Sequence, residues 1–260
     1  MAINNGPLKE DEFVYYMNVK KAKDLNPNLR SMMERLFGII DLDKKVSCER
    51  TQNYIKPDVL IKHQRVTKGL SIKGGSSHVL HNEQIKTFIL FLRSLGISSR
   101  TQQTILLFQY GDGTMDGTGN NRLTGQEVSF KLKDRIEEAN KELNSSKEFV
   151  KKVIDRALFD GVDPEAKKAD AIYHGDVHYG VIVTRQQMYK HIEKKDWKDT
   201  YCLHIGPLQL VPSARFAGTE IRNEKKRHII QCCWPRLSDD FEYISKRYSY
   251  YSSPHWNKKM

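Results

Sequence analysis

The chain is poor in cysteine, and its four, Cys48, Cys202, Cys232 and Cys233, contain no C-x-x-C pair. That spacing excludes a zinc knuckle or ribbon. Adjacent Cys232 and Cys233 rarely bridge each other, so all four are read as reduced thiols of a cytoplasmic protein. Long hydrophobic runs are missing as well. The longest, residues 88–97, is broken by Arg93 and falls far short of the ~20 apolar residues that a membrane span needs. Residues 1–11 carry neither a basic start nor an apolar stretch, so no secretory signal is read there. There is no G-K-[ST] phosphate loop and no internal repeat.

What is present is charge, chiefly of one sign. The 260 residues hold 43 Lys and Arg against 32 Asp and Glu, a net charge of +11, with pI about 9.3. An excess of this size favours polyanionic partners and supplies affinity through phosphate neutralisation, without reading sequence. Hydrophobic residues make up 38% and charged residues 29%, enough for a real core and against wholesale disorder. The length suits a single domain over 1–260, with a core at about 40–110 and an elaboration at about 170–260.

The pattern along the chain alternates helix and strand. Residues 10–40 read as helix, split at Pro27, with Asn26 an N-cap for the second part. Residues 46–61 and 69–73 read as extended, joined by a basic hairpin connection at 62–68. Gly74–Ser77 breaks the strand. A helix is expected over about 79–95, with Phe88, Leu92 and Leu95 on one face and Gly96 closing it. Residues 105–110 read as a buried strand, 125–143 and 149–159 as helices, and 180–184, 201–205 and 228–234 as strands. These elements predict an α/β fold, a central mixed β-sheet of about five strands flanked by helices.

The chemistry concentrates at Lys56-Pro57-Asp58-Val59-Leu60-Ile61 and Gly69-Leu70-Ser71-Ile72-Lys73-Gly74-Gly75. A carboxylate stands in one short apolar run and a lysine in the next. Phosphodiester hydrolysis needs a cation against the scissile phosphate, an activated water and a stabilised leaving oxygen. Magnesium takes oxygen ligands and keeps several waters, so one or two carboxylates and a carbonyl suffice. Asp58 supplies the first carboxylate. Ser71 and Lys73, two apart, share a strand face, while Ile72 points into the core and offers its carbonyl. Lys73 then lies near the attacking water. A second acid must come from elsewhere: Glu83 at the start of the next helix, with Glu49 and Glu34 in reserve.

The run from Lys56 to Glu83 resembles the PD-(D/E)xK nuclease superfamily, and more narrowly type II restriction endonucleases of the variant form PD…SxK…E, in which the acid has moved to the following helix. The resemblance implies a restriction-endonuclease-like fold and magnesium-dependent cleavage of double-stranded DNA. It implies magnesium held by Asp58 and Glu83, water assisted by Lys73, and Ser71 in the vacated acid position. It also implies a homodimer, matching a palindromic target, and a companion DNA methyltransferase acting on the same site. A recombination or repair nuclease of the same fold, or a non-enzymatic nucleic-acid-binding protein, are the rival readings.

Other signals are weaker. The glycine-dense segment 111–120 carries Asp112, Thr114 and Asp116 like the opening of a calcium loop, but the last ligand position is Leu123, which rejects an EF-hand. It reads either as a surface loop or as a DNA-contacting loop with Asn120, Asn121 and Arg122 as polar readers. His174, Asp176 and His178 alternate as on one strand face; with no further ligand clustered nearby, a polar face is the better reading. His78 and His81 flank the proposed site. The segments 215–227 and 246–259 mix basic residues with Asn, Tyr and Trp, as DNA-binding surfaces do.

Overall fold

The computed structural model describes residues 6–51, 56–74, 78–197, 202–214 and 221–249. The chain opens with α1 (Gly6–Met17), a 3-10 turn (Ala22–Asp24) and α2 (Pro27–Phe37). Strands β1 (Val46–Arg50), β2 (Val59–His63), β3 (Val66–Lys73) and β4 (Val79–Gln84) follow. Next come α3 (Ile85–Ser94), α4 (Ser99–Tyr110), α5 (Gly125–Lys131), α6 (Lys133–Leu143) and α7 (Lys147–Ile154), which runs into a π-helical segment (Asp155–Asp160). The remainder is β5 (Ala171–Gly175), β6 (Gly180–Thr184), α8 (Arg185–Lys194), β7 (His204–Ile205), β8 (Leu208–Pro212), α9 (Ile221–Arg227), β9 (Ile229–Cys233) and α10 (Leu237–Arg247). No helix among the described residues is long and apolar enough to cross a membrane.

These elements divide into two compact units. The first comprises Met1–Ser77, Ile154–Lys194 and Arg236–Met260; the second comprises His78–Val153 and Lys195–Pro235. The first unit is built on a mixed five-stranded sheet, order β1-β2-β3-β5-β6. Strands β1 to β3 form an antiparallel meander, β5 joins β3 in parallel, and β6 returns antiparallel to β5. The expected α/β class with helices flanking a mixed sheet is therefore what the chain adopts.

Alternation explains the burial. Val46 and Cys48 of β1, Val59 and Ile61 of β2, and Leu70 and Ile72 of β3 face Phe13 and Met17 of α1 and Leu29, Met32, Met33 and Leu36 of α2 in one core. Phe13 meets the Tyr173 ring edge-on, 5.3 Å between centroids. Helices α8 and α10 pack against β6, and Phe241 of α10 reaches His174 of β5 at 5.9 Å. Asn26 caps α2 as expected, its side chain accepting from Leu29 N at 2.8 Å, with Pro27 in the first turn. The basic connection at 62–68 narrows to a two-residue turn, Gln64-Arg65, between the paired His63 and Val66.

The second unit holds an antiparallel sheet, order β4-β9-β8-β7. Two sequence expectations are corrected here. Residues 79–84 form a strand, not the first turns of a helix, because β4 pairs with β9 about 150 residues on; the helix begins at Ile85. That partner lies beyond any local pattern. Residues 105–110 belong to helix α4, not to a strand. Its buried positions include Thr101, Thr104, Ile105 and Phe108, a helical spacing, and Ser98 caps it by accepting from Thr101 N at 3.2 Å. The short run Ile105–Phe108 read alone does not distinguish the two periods.

The four cysteines are free thiols. Burial pushes the Cys48 thiol up to about 12.

Candidate active site

The hairpin of β2 and β3 builds the site. Val59 pairs with Leu70, so Asp58, one residue before β2, stands across from Ser71. Its backbone N–H donates to Leu70 O at 3.0 Å, which extends the ladder by one step. Asp58, Ser71 and Lys73 share one face of the sheet, opposite the core face of Val59, Leu70 and Ile72.

The Asp58 carboxylate is anchored through one oxygen. Oδ2 accepts from Ser71 Oγ at 2.9 Å and from Ile72 N at 2.6 Å, and Lys73 Nζ lies 3.6 Å away. Hydrogen bonds to an ionised carboxylate contribute about 1.5–3 kcal/mol each, so the orientation of Asp58 is fixed. Among the described residues Oδ1 accepts no hydrogen bond. Ser71, fully buried, holds the carboxylate in place. In a strand the N–H and C=O of one residue point to the same side, so the Ile72 carbonyl faces the Asp58 side of β3.

A second carboxylate that the sequence reading missed comes from α1. Glu10 Oε2 lies 2.8 Å from Arg50 Nε, and Arg50 pairs with Val59, next to Asp58. Burial raises the Glu10 pKa above its ordinary value; the Asp58 charge raises it further, while Arg50 and Lys73 oppose the shift. The adjacent Lys9 reaches the other side of the same end of the sheet: its Nζ stands 2.7 Å from where a Cβ on Gly74 would be. The signal was present in the sequence. Glu10 falls three and seven residues before Phe13 and Met17, which places an acid on the core-facing stripe of an amphipathic helix.

The acids named from sequence lie on three other elements. Glu83 is not at a helix start; it is a buried residue of β4 in the second unit, opposite Ile230, with His81 Nε2 at 3.0 Å from its Oε2. Glu34 is exposed on α2. Glu49, also exposed, lies on β1 opposite Leu60, and since Leu60 is two residues from Asp58, alternation puts Glu49 on the Asp58 face of the sheet. His81 belongs to β4 with Glu83, and His78 O accepts from Trp234 N at 2.8 Å. His174, Asp176 and His178 do not alternate on one strand: β5 ends at Gly175, and Asp176 Oδ1 turns the chain by accepting from His178 N and Tyr179 N, both at 2.8 Å. The Gly75–Ser77 part of the strand exit, residues 215–220 and residues 250–259 lie outside the described residues.

No group of three or more His, Cys, Asp and Glu that could hold a metal ion occurs among the described residues. A hard cation needs no such cluster: it takes one or two carboxylates and keeps its waters. The donor set of Asp58 Oδ1, the Glu10 carboxylate and the Ile72 carbonyl is all oxygen. Burial is the main cause of the upward shift at Glu10; the smaller part that the Asp58 charge adds is repulsion that a divalent ion would relieve. These residues fit magnesium.

No protein family matches the chain, and no curated protein matches it in sequence. Among solved structures it is similar to the restriction endonuclease MspI in complex with its cognate DNA: TM-score 0.50 and 14% identity, over 87% of this chain and 88% of that one. The chain thus has a restriction-endonuclease-like fold.

Proposed function

We propose that the protein is a magnesium-dependent type II restriction endonuclease that hydrolyses phosphodiester bonds of double-stranded DNA at a specific site. The observation that carries this is the β2–β3 hairpin. It sets Asp58, Ser71 and Lys73 on one face, with Asp58 anchored by Oδ2 alone, on a fold shared with an enzyme solved on its DNA. The net charge of +11 fits the same substrate.

Magnesium held by Asp58, the Ile72 carbonyl and a second acid would place positive charge against the scissile phosphate and make water a better nucleophile. The protein's own groups do the rest. Ser71 and the Ile72 N–H hold Asp58 in its orientation. Lys73 Nζ sits at the edge of the carboxylate, where it can hold the attacking water and donate to a phosphate oxygen. Water oxygen bonds to phosphorus and gives up a proton to solvent, the P–O bond to the leaving sugar oxygen breaks, and that oxygen takes a proton from solvent. The candidates for the second acid are Glu10 of α1 and, from the sequence, Glu83 with Glu49 and Glu34 in reserve. A homodimer on a palindromic target and a companion methyltransferase belong to this reading.

The test is digestion of a sequenced phage genome with magnesium, with the ends mapped. Discrete ends within one short sequence support the proposal. Cuts placed by DNA structure and not by sequence would favour a repair or recombination nuclease. No cutting under any divalent metal would leave a binding protein. Lys73→Ala should abolish cleavage while a gel-shift assay still detects DNA binding; cleavage near the unsubstituted rate would remove Lys73 from the site.

A further inference from the structure

The glycine-dense loop at residues 111–123, in the second unit, is held far more firmly than its composition suggests. Asp112 has no exposed side-chain surface and Arg227 only 5%. Asp112 Oδ1 accepts from Thr114 N at 2.9 Å and Thr114 Oγ1 at 2.8 Å. Its Oδ2 accepts from Gly119 N at 3.1 Å and faces Arg227 Nη2 at 3.4 Å. Arg227 donates in turn to Gly117 O at 2.6 Å and to Glu224 at 2.6 Å. Gly117, at φ 81°, lies so close to Tyr110 that an added Cβ would stand 2.7 Å from the ring. The loop closes through Leu123 N to Gly111 O at 2.8 Å.

This buried pair leaves one face to solvent. Met115, Asp116, Thr118, Asn120 and Asn121 are exposed along the loop. On the α9 side Arg227 turns inward while Lys225 and Lys226 are exposed, and Arg122 lies 4.0 Å from Glu224 of the same helix. The surface therefore sets two primary amides beside a basic flank. Asn side chains pair with the edge of adenine through one donor and one acceptor, an exposed carboxylate such as Asp116 accepts from cytosine, and lysines take phosphate. A loop already fixed before contact loses little further freedom on binding.

We propose that the loop at residues 111–123 is a preformed base-reading element for duplex DNA. Asn120 and Asn121 are the readers, Lys225 and Lys226 the phosphate contacts, and Arg227 a positioning residue that fixes the loop from beneath. The inference rests on the nuclease reading above. Its test uses the full chain with Asn120→Ala/Asn121→Ala and with Lys225→Ala/Lys226→Ala, all surface changes. The readouts are kcat/KM on the mapped site, kcat/KM on its single-base neighbours, and the salt dependence of Kd. The asparagine variant should lose about tenfold or more of the preference for the mapped site over one neighbour. The lysine variant should weaken binding to every duplex alike and lower the salt slope by about two. An asparagine variant with the unsubstituted preference overturns the proposal while the nuclease reading stands. An unsubstituted protein that neither binds nor cuts duplex DNA overturns both.

Discussion

One residue decides how the site works. The Ser71 hydroxyl donates to Asp58 Oδ2, so in the proposed reading this position anchors the first carboxylate and a second acid comes from another element. Glu10 is the candidate on α1. Its folded-state pKa is raised, so its contribution to stability is complete below the ordinary carboxylate value and is lost as pH rises through the folded-state value. At pH 7 without metal, Glu10→Gln should be at least as stable as the unsubstituted protein, because the change removes a charge that burial penalises and Asp58 repels, which outweighs its ion pair with Arg50. Magnesium at a hundredfold excess over Kd adds about 2.7 kcal/mol, a rise of several degrees in Tm. Thermal melts should show that rise for the unsubstituted protein and Glu83→Gln, and not for Glu10→Gln or Asp58→Asn. The reverse pattern, with Glu83→Gln unresponsive and Glu10→Gln responsive, would put the second acid on β4.

At the scale of elements, the hairpin was legible and its surroundings only in part. Asp58, Ser71 and Lys73 came straight from the motif, since strand alternation fixes which of them share a face. The cap at Asn26 was legible because capping is local chemistry. Strand β4 was not, because its pairing with β9 is set by residues far along the chain. Glu10 was not among the acids named, Glu83, Glu49 and Glu34, because the packing of α1 on β1 is a tertiary contact that local periodicity does not show. The hairpin's seat is tested at Gly69. A Cβ there would stand 2.7 Å from Pro57 Cγ and 2.9 Å from Lys168 O. Gly69→Ala should cost about 1–3 kcal/mol in urea unfolding. By moving Pro57-Asp58 it should also lower cleavage by about a hundredfold. A variant with unsubstituted stability and rate would show that the close packing at Gly69 is slack.

For the whole molecule, the five-stranded mixed sheet with helices on both faces was foreseen, while the antiparallel sheet of the second unit was not. A reading from local periodicity has no way to assign strands that pair across distant segments. The charge balance was read from composition alone, and it carries its own expectation. With +11 net charge, binding to a duplex should fall steeply with salt, by about a thousandfold between 50 and 200 mM if at least six phosphates are neutralised. A Kd unchanged over that range would argue against a DNA partner. The central claim, that Asp58 anchors a metal-dependent DNA-cleaving centre, is tested most directly by nicking of supercoiled plasmid with and without magnesium, for the unsubstituted protein beside Asp58→Ala. The expected result is relaxation and linearisation only with magnesium and only with Asp58 in place; equal cutting by Asp58→Ala, or cutting indifferent to chelation, would contradict it.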